Sequence, residues 1–156
     1  MERTLVLLKP DALARGLVGR ILLRFEEKGL FLLGLKLLRM SEELAARHYA
    51  VHRDRPFYPG LVKFITSGPV VAACLAGKNA IAVVRGMVGA TDCGQAEPGS
   101  IRGDLGMSNR FNLIHASDSP QAAEEEVANF FGADELCEPS EEAKRWIYDS
   151  LAGGLI

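Results

Sequence analysis

The residue of this sequence best suited to chemistry is His115, which ends a short apolar run within the segment 112–118. This pattern predicts a strand that stops near the histidine, followed by a helix that begins at Ser119 and Pro120. Helix-terminal N–H groups favour anions, and an imidazole is neutral enough near pH 7 to act as a nucleophile. The alternative interpretation is a half-buried structural histidine at a strand end.

Three basic residues, Lys9, Arg85 and Arg102, are candidates for neutralising a phosphate beside this histidine. Phosphoryl transfer to an imidazole requires cations at the transferring oxygens. Lys9 follows the first predicted strand, Arg85 interrupts an apolar helical stripe, and Arg102 lies in a long glycine-rich segment. Taken singly, each is also compatible with a solvated surface charge. Because the net charge is only −2, a phosphate ligand would depend on such a local cluster.

Glu126 is the candidate partner that orients the imidazole, because it lies in the predicted last helix, from which a carboxylate could reach back to His115. The alternative is that the run 124–126 forms an exposed acidic face. Ser117 has two interpretations as well. It either links His115 to Glu126 or caps the turn before the helix.

Two aromatic residues, Phe57 and Tyr58, lie between Pro56 and Pro59 and form a rigid platform that suits stacking on a nucleobase. A small satellite core is the alternative. Asn112 either hydrogen-bonds a sugar hydroxyl or ends a strand.

The familiar phosphate-binding and metal-binding motifs are absent from the sequence. There is no G-x-x-x-x-G-K-[ST] run and no kinase-type glycine-rich loop. His48 and His52 are one helical turn apart, a spacing that could bind a metal. No acidic or cysteine ligand at motif spacing supports such a site. We therefore interpret these two histidines as a helix-surface pair and expect no metal held by protein ligands.

The apolar patterns predict alternating strands and helices that would position these residues. The second strand is expected to place Leu33, Leu35 and Leu37 on one face. The segment from Gly89 to Phe111 shows no clear period and reads as a long functional loop. Helices on one face of the sheet, in an α/β or α+β sandwich, fit this order, as does a split βαβ arrangement with an inserted helical pair. The predicted strands cover 3–8, 30–40, 70–76 and 112–116, and the main helical stripes cover 18–25, 41–52, 61–66, 80–87 and 120–131.

Composition indicates one soluble globular domain. The 156 residues are 48% hydrophobic and 24% charged, a balance that predicts neither bulk nucleic-acid binding nor a membrane patch. The three cysteines are far apart, which disfavours a disulfide framework and favours a reducing compartment. No segment reads as a signal peptide or a membrane span, so we expect a cytoplasmic protein.

Several short motifs occur in the same order, and at similar spacing, as those of one known family. The most specific is Asn112-x-x-His115-Ala116-Ser117-Asp118, which matches the active-site signature of that family. The others are Glu2-Arg3-Thr4, Lys9-Pro10-Asp11, Arg15-Gly16-Leu17-Val18-Gly19, Arg55-Pro56-Phe57, Ser67-Gly68-Pro69-Val70-Val71-Ala72 and Pro98-Gly99-Ser100-Ile101-Arg102-Gly103-Asp104. On these motifs the sequence resembles the nucleoside diphosphate kinases over nearly its whole length, about residues 2–148.

The resemblance implies a ping-pong reaction in which a nucleoside triphosphate, mainly ATP, gives its γ-phosphoryl group to Nδ1 of His115. The phosphohistidine then gives it to a nucleoside diphosphate. Glu126 would orient the imidazole with help from Ser117. Mg²⁺ would be carried on the nucleotide phosphates. Lys9 and Tyr49 would lie near the transferring phosphoryl group, and Lys9 would also contact the ribose 3′ hydroxyl. The α/β-phosphates would be held by Arg85, Thr91 and Arg102. Asn112 would contact the ribose, and Phe57 would stack on the base with Leu61 behind it.

The resemblance also implies a ferredoxin-like split βαβ core with a four-stranded antiparallel sheet covered by helices. Residues 1–149 would form the kinase domain and residues 150–156 a C-terminal tail. Family members form hexamers or tetramers, and the segment through Trp146-Ile147-Tyr148 favours the hexamer. Neither nucleic acid nor a membrane is an expected partner.

One departure from the family pattern, Asn109 and Arg110 near the expected base site, leaves the nucleoside preference open. Two rival functions remain at this point. The first is a silent nucleotide-binding homologue, which the presence of His115, Lys9 and Arg102 disfavours. The second is a phosphohistidine relay protein, which would lack a nucleotide platform.

Overall fold

The computed structural model describes residues 1–148, and its framework is a four-stranded antiparallel sheet. Its strands are β1 (Glu2–Leu8), β2 (Phe31–Arg39), β3 (Pro69–Gly77) and β4 (Ile114–Ala116). The strand order is β2-β3-β1-β4, so β1 lies inside the sheet between β3 and β4. The predicted ferredoxin-like sheet is thereby confirmed.

Eight α-helices connect and cover these strands within the described residues. They are α1 (Pro10–Ala14), α2 (Val18–Glu27), α3 (Glu42–His48), α4 (Tyr58–Ile65), α5 (Ala80–Val88), α6 (Ile101–Leu105), α7 (Pro120–Phe130) and α8 (Glu141–Arg145). Among residues 1–148, none of the helices has the length and apolar character needed to cross a membrane. The proposed tail, 150–156, lies outside the described residues.

Helices cover both faces of the sheet, so the expectation of a single covered face was wrong. Val6 and Leu8 of β1 pack with α2 and α5 on one side, and Leu5 and Leu7 pack with α3, α4 and α7 on the other. The physical reason is visible in β1 itself. Its last four residues are all apolar and fully buried, and a strand without polar alternation needs cover on both faces.

Edge strand β2 does not place Leu33, Leu35 and Leu37 on one face, which corrects the sequence prediction. Leu33 is buried, whereas Leu35 and Leu37 are 50% and 70% exposed. The register against β3 shifts between Leu32 and Gly34, as at a β-bulge. An extra residue in one strand reverses the inward and outward alternation beyond it.

The segment 89–111, predicted to be an irregular loop, contains the short helix α6. Ser100 caps this helix by accepting a hydrogen bond from the backbone N–H of Gly103. Gly89 begins the segment with a φ of +84°, and a Cβ there would clash with Ser100. Five residues that include a glycine and two charges are too few to produce a helical period in the sequence.

Candidate active site

His115 lies in the middle of the short strand β4, where it pairs with Leu7 of β1. The strand begins late because Leu113 adopts a φ of +70°, which is rare for a residue other than glycine. Two hydrogen bonds hold that conformation. The Leu113 N–H donates to Asp11 Oδ2 at 3.0 Å, and its carbonyl accepts from the Lys9 N–H at 2.8 Å. The motif Lys9-Pro10-Asp11 therefore fixes the backbone that presents His115.

Glu126 reaches His115 from helix α7. Its two carboxylate oxygens lie 2.9 and 3.0 Å from Nε2 of the imidazole. The Ser117 hydroxyl donates to Glu126 Oε2 at 2.7 Å and accepts from the Leu5 N–H at 3.1 Å. Glu126 therefore contacts His115 directly, and Ser117 bonds the carboxylate and β1 without touching the imidazole itself. The neighbouring Glu124 and the rest of the acidic run are exposed.

The carboxylate of Glu126 selects which tautomer the neutral His115 ring adopts. Burial alone would raise the pKa of Glu126, but hydrogen bonds from His115 and Ser117 hold it below its ordinary value. An ionised carboxylate only accepts hydrogen bonds, so Nε2 must carry the proton that it donates. The lone pair of the neutral imidazole is then on Nδ1.

Lys9 lies at the junction between β1 and α1 and is only 8% exposed. Its ammonium group donates to Asn112 Oδ1 at 2.6 Å, and the Asn112 amide donates to the Thr91 carbonyl at 2.9 Å. Burial, reinforced by the charge of Arg102, lowers the pKa of Lys9 to about 8. An anionic ligand beside Lys9 would favour its charged form.

Arg102 is buried in α6, and its guanidinium group donates to three backbone carbonyls. The acceptors are Asn112 at 3.1 Å, Gly89 at 3.1 Å and Ile114 at 2.6 Å. The sequence interpretation gave Arg102 a role only toward a ligand. The structure adds a second role, because these hydrogen bonds tie α6 to the segment that carries His115. Arg85, by contrast, is exposed on α5.

A cavity of about 930 Å³ opens in front of His115. Glu126 and Ser117 lie behind the histidine and are not among the lining residues. His52, Phe64 and Asp118 also line the cavity, although the sequence analysis gave none of them a role toward a nucleotide. Phe64 lies three residues after Leu61 on α4, a spacing that could have placed both on one face. The predicted residues that line it are Lys9, Tyr49, Phe57, Leu61, Arg85, Thr91, Arg102, Asn112 and His115, together with Asn109 and Arg110.

His48 is not part of a helix-surface pair, so that expectation was wrong. It is 7% exposed, and its ring centroid lies 4.6 Å from that of His115 and 5.5 Å from that of Phe130. Neither of its ring nitrogens has a hydrogen-bond partner within the described part of the chain. Burial, and then the charge of His115, lowers the pKa of His48 to about 3, so the ring is neutral.

Tyr49, at the end of α3, is 5% exposed, and its ring centroid lies 4.6 Å from that of His48. Its hydroxyl group also has no partner among the described residues. Burial, with the charge of Glu126, raises the pKa of Tyr49 well above its ordinary value. The hydroxyl is therefore protonated and can donate a hydrogen bond, and Tyr49 is one of the residues that line the cavity.

Comparisons with known proteins give one consistent result. A family model described as "Nucleoside diphosphate kinase" matches residues 2–136. A nucleoside diphosphate kinase of Roseiflexus castenholzii is 53% identical over 149 residues, which cover 96% of this chain and 100% of the relative. One of Archaeoglobus fulgidus is 52% identical over 96% of this chain and 99% of its own. A solved halophilic nucleoside diphosphate kinase from Halobacterium salinarum, in complex with CDP, has a TM-score of 0.92 and 51% identity over 95% of this chain and 99% of that chain.

Proposed function

The chain belongs to the nucleoside diphosphate kinase family of phosphotransferases, and we propose that it works by a ping-pong mechanism with ATP as its main donor and His115 as the nucleophile. The observation that carries the proposal is the contact between Glu126 and Nε2. This contact leaves the lone pair of Nδ1 free on a residue that lines the cavity.

In the first half-reaction, Nδ1 of His115 attacks the γ-phosphorus of the triphosphate. The bond from that phosphorus to the β,γ-bridging oxygen breaks, and the diphosphate leaves with the electron pair on its oxygen. Glu126 balances the positive charge that develops on the imidazole. In the second half-reaction, a terminal phosphate oxygen of another diphosphate attacks the phosphorus, and the bond to Nδ1 breaks.

The remaining lining residues supply the charge and the donors that this transfer needs. Lys9 and Tyr49 serve the transferring phosphoryl group, and the buried, partnerless Tyr49 hydroxyl supports that role. Lys9 also meets the ribose 3′ hydroxyl, and Asn112 contacts the ribose. The α/β-phosphates are held by Arg85, Thr91 and Arg102, which line the cavity with His115.

The base stacks on Phe57, which lines the cavity and is 56% exposed. Leu61 lies behind it and completes the apolar wall. An aromatic face accepts every base because each base has its own π-face. The solved Halobacterium salinarum relative is in complex with CDP, a nucleoside diphosphate. Asn109 and Arg110 also line the cavity, so the relative preference among bases depends on them.

We propose that Mg²⁺ acts on the phosphates of the bound nucleotide, where it neutralises charge. The described lining of the cavity fits this arrangement, because its single carboxylate belongs to Asp118 and its cations belong to Lys9, Arg85, Arg102 and Arg110. Magnesium is commonly bound by one or two carboxylates together with substrate phosphates.

The chain is further proposed to form a homo-oligomer in the cytoplasm, with a hexamer favoured over a tetramer. The exposed Leu35 and Leu37 on β2 support an association surface. The described cysteines are all free, which supports a reducing compartment. Sedimentation equilibrium measures the oligomeric mass directly.

Initial rates with ATP and CDP varied together test the proposed mechanism against its rivals. A ping-pong reaction gives parallel lines in double-reciprocal plots at several fixed CDP concentrations. Intersecting lines would indicate direct transfer in a ternary complex and overturn the phosphohistidine step. A chain that binds ATP but forms no CTP would be a silent homologue, and one that binds no nucleotide would fit a relay protein.

A further inference from the structure

Behind the nucleophile lies a group of three side chains with the chemistry of a metal site. The ligand atoms of His48, His115 and Glu126 all lie within 4.8 Å of one another. Two imidazoles and one carboxylate form a ligand set that suits a borderline divalent cation such as Zn²⁺ better than a hard one such as Mg²⁺. The group lies on α3, β4 and α7, which belong to different parts of the sequence.

His48 provides an independent indication that this group accepts a ligand. Its side chain is buried, and both ring nitrogens lack a partner among the described residues. A buried polar group without a hydrogen bond destabilises a fold. The proposed transfer reaction assigns no role to His48. A ligand that bonds one of its nitrogens would remove this unfavourable feature.

We propose that His48, His115 and Glu126 bind one Zn²⁺ ion in the unphosphorylated protein, and that this ion holds the kinase inactive. The ion would take the place of the proton between Nε2 of His115 and Glu126. Small rotations of the three side chains would bring their ligand atoms to about 2.0–2.2 Å from the metal. A water molecule would complete the tetrahedral coordination.

Inhibition of the kinase by the ion follows from which nitrogen of the His115 ring carries the hydrogen. This half of the proposal rests on the proposed function. A neutral imidazole has one N–H and one lone pair. In the metal-free site, Nε2 carries the hydrogen and Nδ1 the lone pair. A metal on Nε2 uses a lone pair there, so the hydrogen moves to Nδ1. No proton leaves the ring, but Nδ1 can no longer attack phosphorus.

Calorimetric titration of the full chain with Zn²⁺ alone tests the binding half. The protein is first freed of metals with a chelator, and the chelator is then removed. We expect one ion per chain, with an affinity at least about tenfold weaker in His48→Phe. His52→Phe is the matched control, because His52 lies on the next turn outside the ligand group and should leave the affinity unchanged.

Several outcomes would overturn the binding half. One is that the wild type binds no Zn²⁺, and another is that His48→Phe binds Zn²⁺ as tightly as the wild type. A third is a thiolate charge-transfer band when Co²⁺ replaces Zn²⁺, because such a band would indicate a cysteine site. Circular dichroism checks that His48→Phe is folded. Glu126→Gln is a second variant that must also weaken binding, since it removes an anionic ligand.

Labelling by γ-labelled ATP tests the inhibitory half. Zn²⁺ added at the same concentration as the protein should slow labelling of the wild type, and a chelator should restore the labelling rate. The same addition should not slow labelling of His48→Phe. Equal inhibition of both proteins would contradict the proposal. If the metal-free wild type takes up no label, the proposed function fails instead, and the calorimetric result still stands by itself.

Discussion

Glu126 binds His115 through Nε2 alone, with both carboxylate oxygens within 3.0 Å of that nitrogen. Ser117 fixes the carboxylate from the other side and is itself bound to the backbone of Leu5 in β1. The His115 ring is thus oriented from behind by α7 and β1, and Nδ1 is the ring nitrogen without this partner.

Glu126→Gln should lower kcat by roughly 10–100-fold with little change in KM for ATP. The amide keeps the size of the side chain but loses the charge that balances the developing imidazolium. Steady-state rates measure both constants. Glu124→Gln is the matched control, because Glu124 is exposed on the same helix. Wild-type kcat in Glu126→Gln would contradict the orienting role.

Arg102→Ala and Arg85→Ala should differ in stability although both residues line the cavity. Arg102→Ala removes three hydrogen bonds to backbone carbonyls, of which the Asn112 carbonyl keeps another donor, the Ile114 N–H, and should lower the free energy of unfolding by about 2–4 kcal/mol. Arg85 is exposed, so Arg85→Ala should leave stability unchanged. Urea denaturation measures the difference.

Calorimetric titration with ADP should show weaker binding in both arginine variants. We expect a dissociation constant raised roughly tenfold in Arg85→Ala, equivalent to about 1.4 kcal/mol. The loss in Arg102→Ala should be about 1.5–3 kcal/mol, the value of a charge-assisted phosphate contact. Wild-type affinity for ADP in Arg102→Ala would contradict its assignment to the phosphates.

Affinity for ADP should fall as the pH rises through about 8, because the pKa of the Lys9 ammonium in the free protein is about 8. Below that pH Lys9 is charged and binds phosphate at no protonation penalty. Above it, binding must take up a proton, and the affinity falls by up to tenfold per pH unit. Calorimetry in buffers of different ionisation enthalpy detects the proton uptake. Lys9→Met should bind weakly and show no such slope, and an equal slope in the variant would contradict the assignment.

Phe57→Ala should weaken the binding of ADP, GDP and CDP by similar amounts, about 1–3 kcal/mol for one lost stacking contact. Equilibrium dialysis measures all three affinities. Inorganic tripolyphosphate is the control ligand, because it has no base and should bind both proteins equally. A loss confined to one base would show that base-edge contacts dominate over stacking.

The sequence predicted the site best where a single short motif contains several of the site residues. The motif from Asn112 to Asp118 predicted that His115 belongs to the site, and the cavity brings together all the side chains assigned to nucleotide binding. These side chains converge because Lys9 and His115 lie on the neighbouring strands β1 and β4 or directly beside them. A split βαβ arrangement places β1 beside β4, as the structure does.

Periodicity could not predict the features that depend on tertiary packing. The spacing of His48 and His52 puts them on the same side of a helical turn, but it does not tell which one faces the sheet. The bulge at Leu33 lies in a leucine-rich stretch that Gly34 interrupts. An isolated glycine can mark a bulge, but the leucine spacing alone does not show that the alternation reverses there. The role of Arg102 toward three carbonyls depends on how α6 packs, which a charge in a glycine-rich segment does not reveal.

The most direct test of the central claim is whether label passes from ATP to His115 and from there to a nucleoside diphosphate. The protein is incubated with γ-labelled ATP and Mg²⁺, separated from nucleotide, and then treated with acid or with GDP. We expect acid-labile label on the wild type that moves to GDP, and none on His115→Ala, which should still bind ADP. Label on His115→Ala, or a wild type that binds ATP but takes up no label, would contradict a phosphohistidine intermediate at His115.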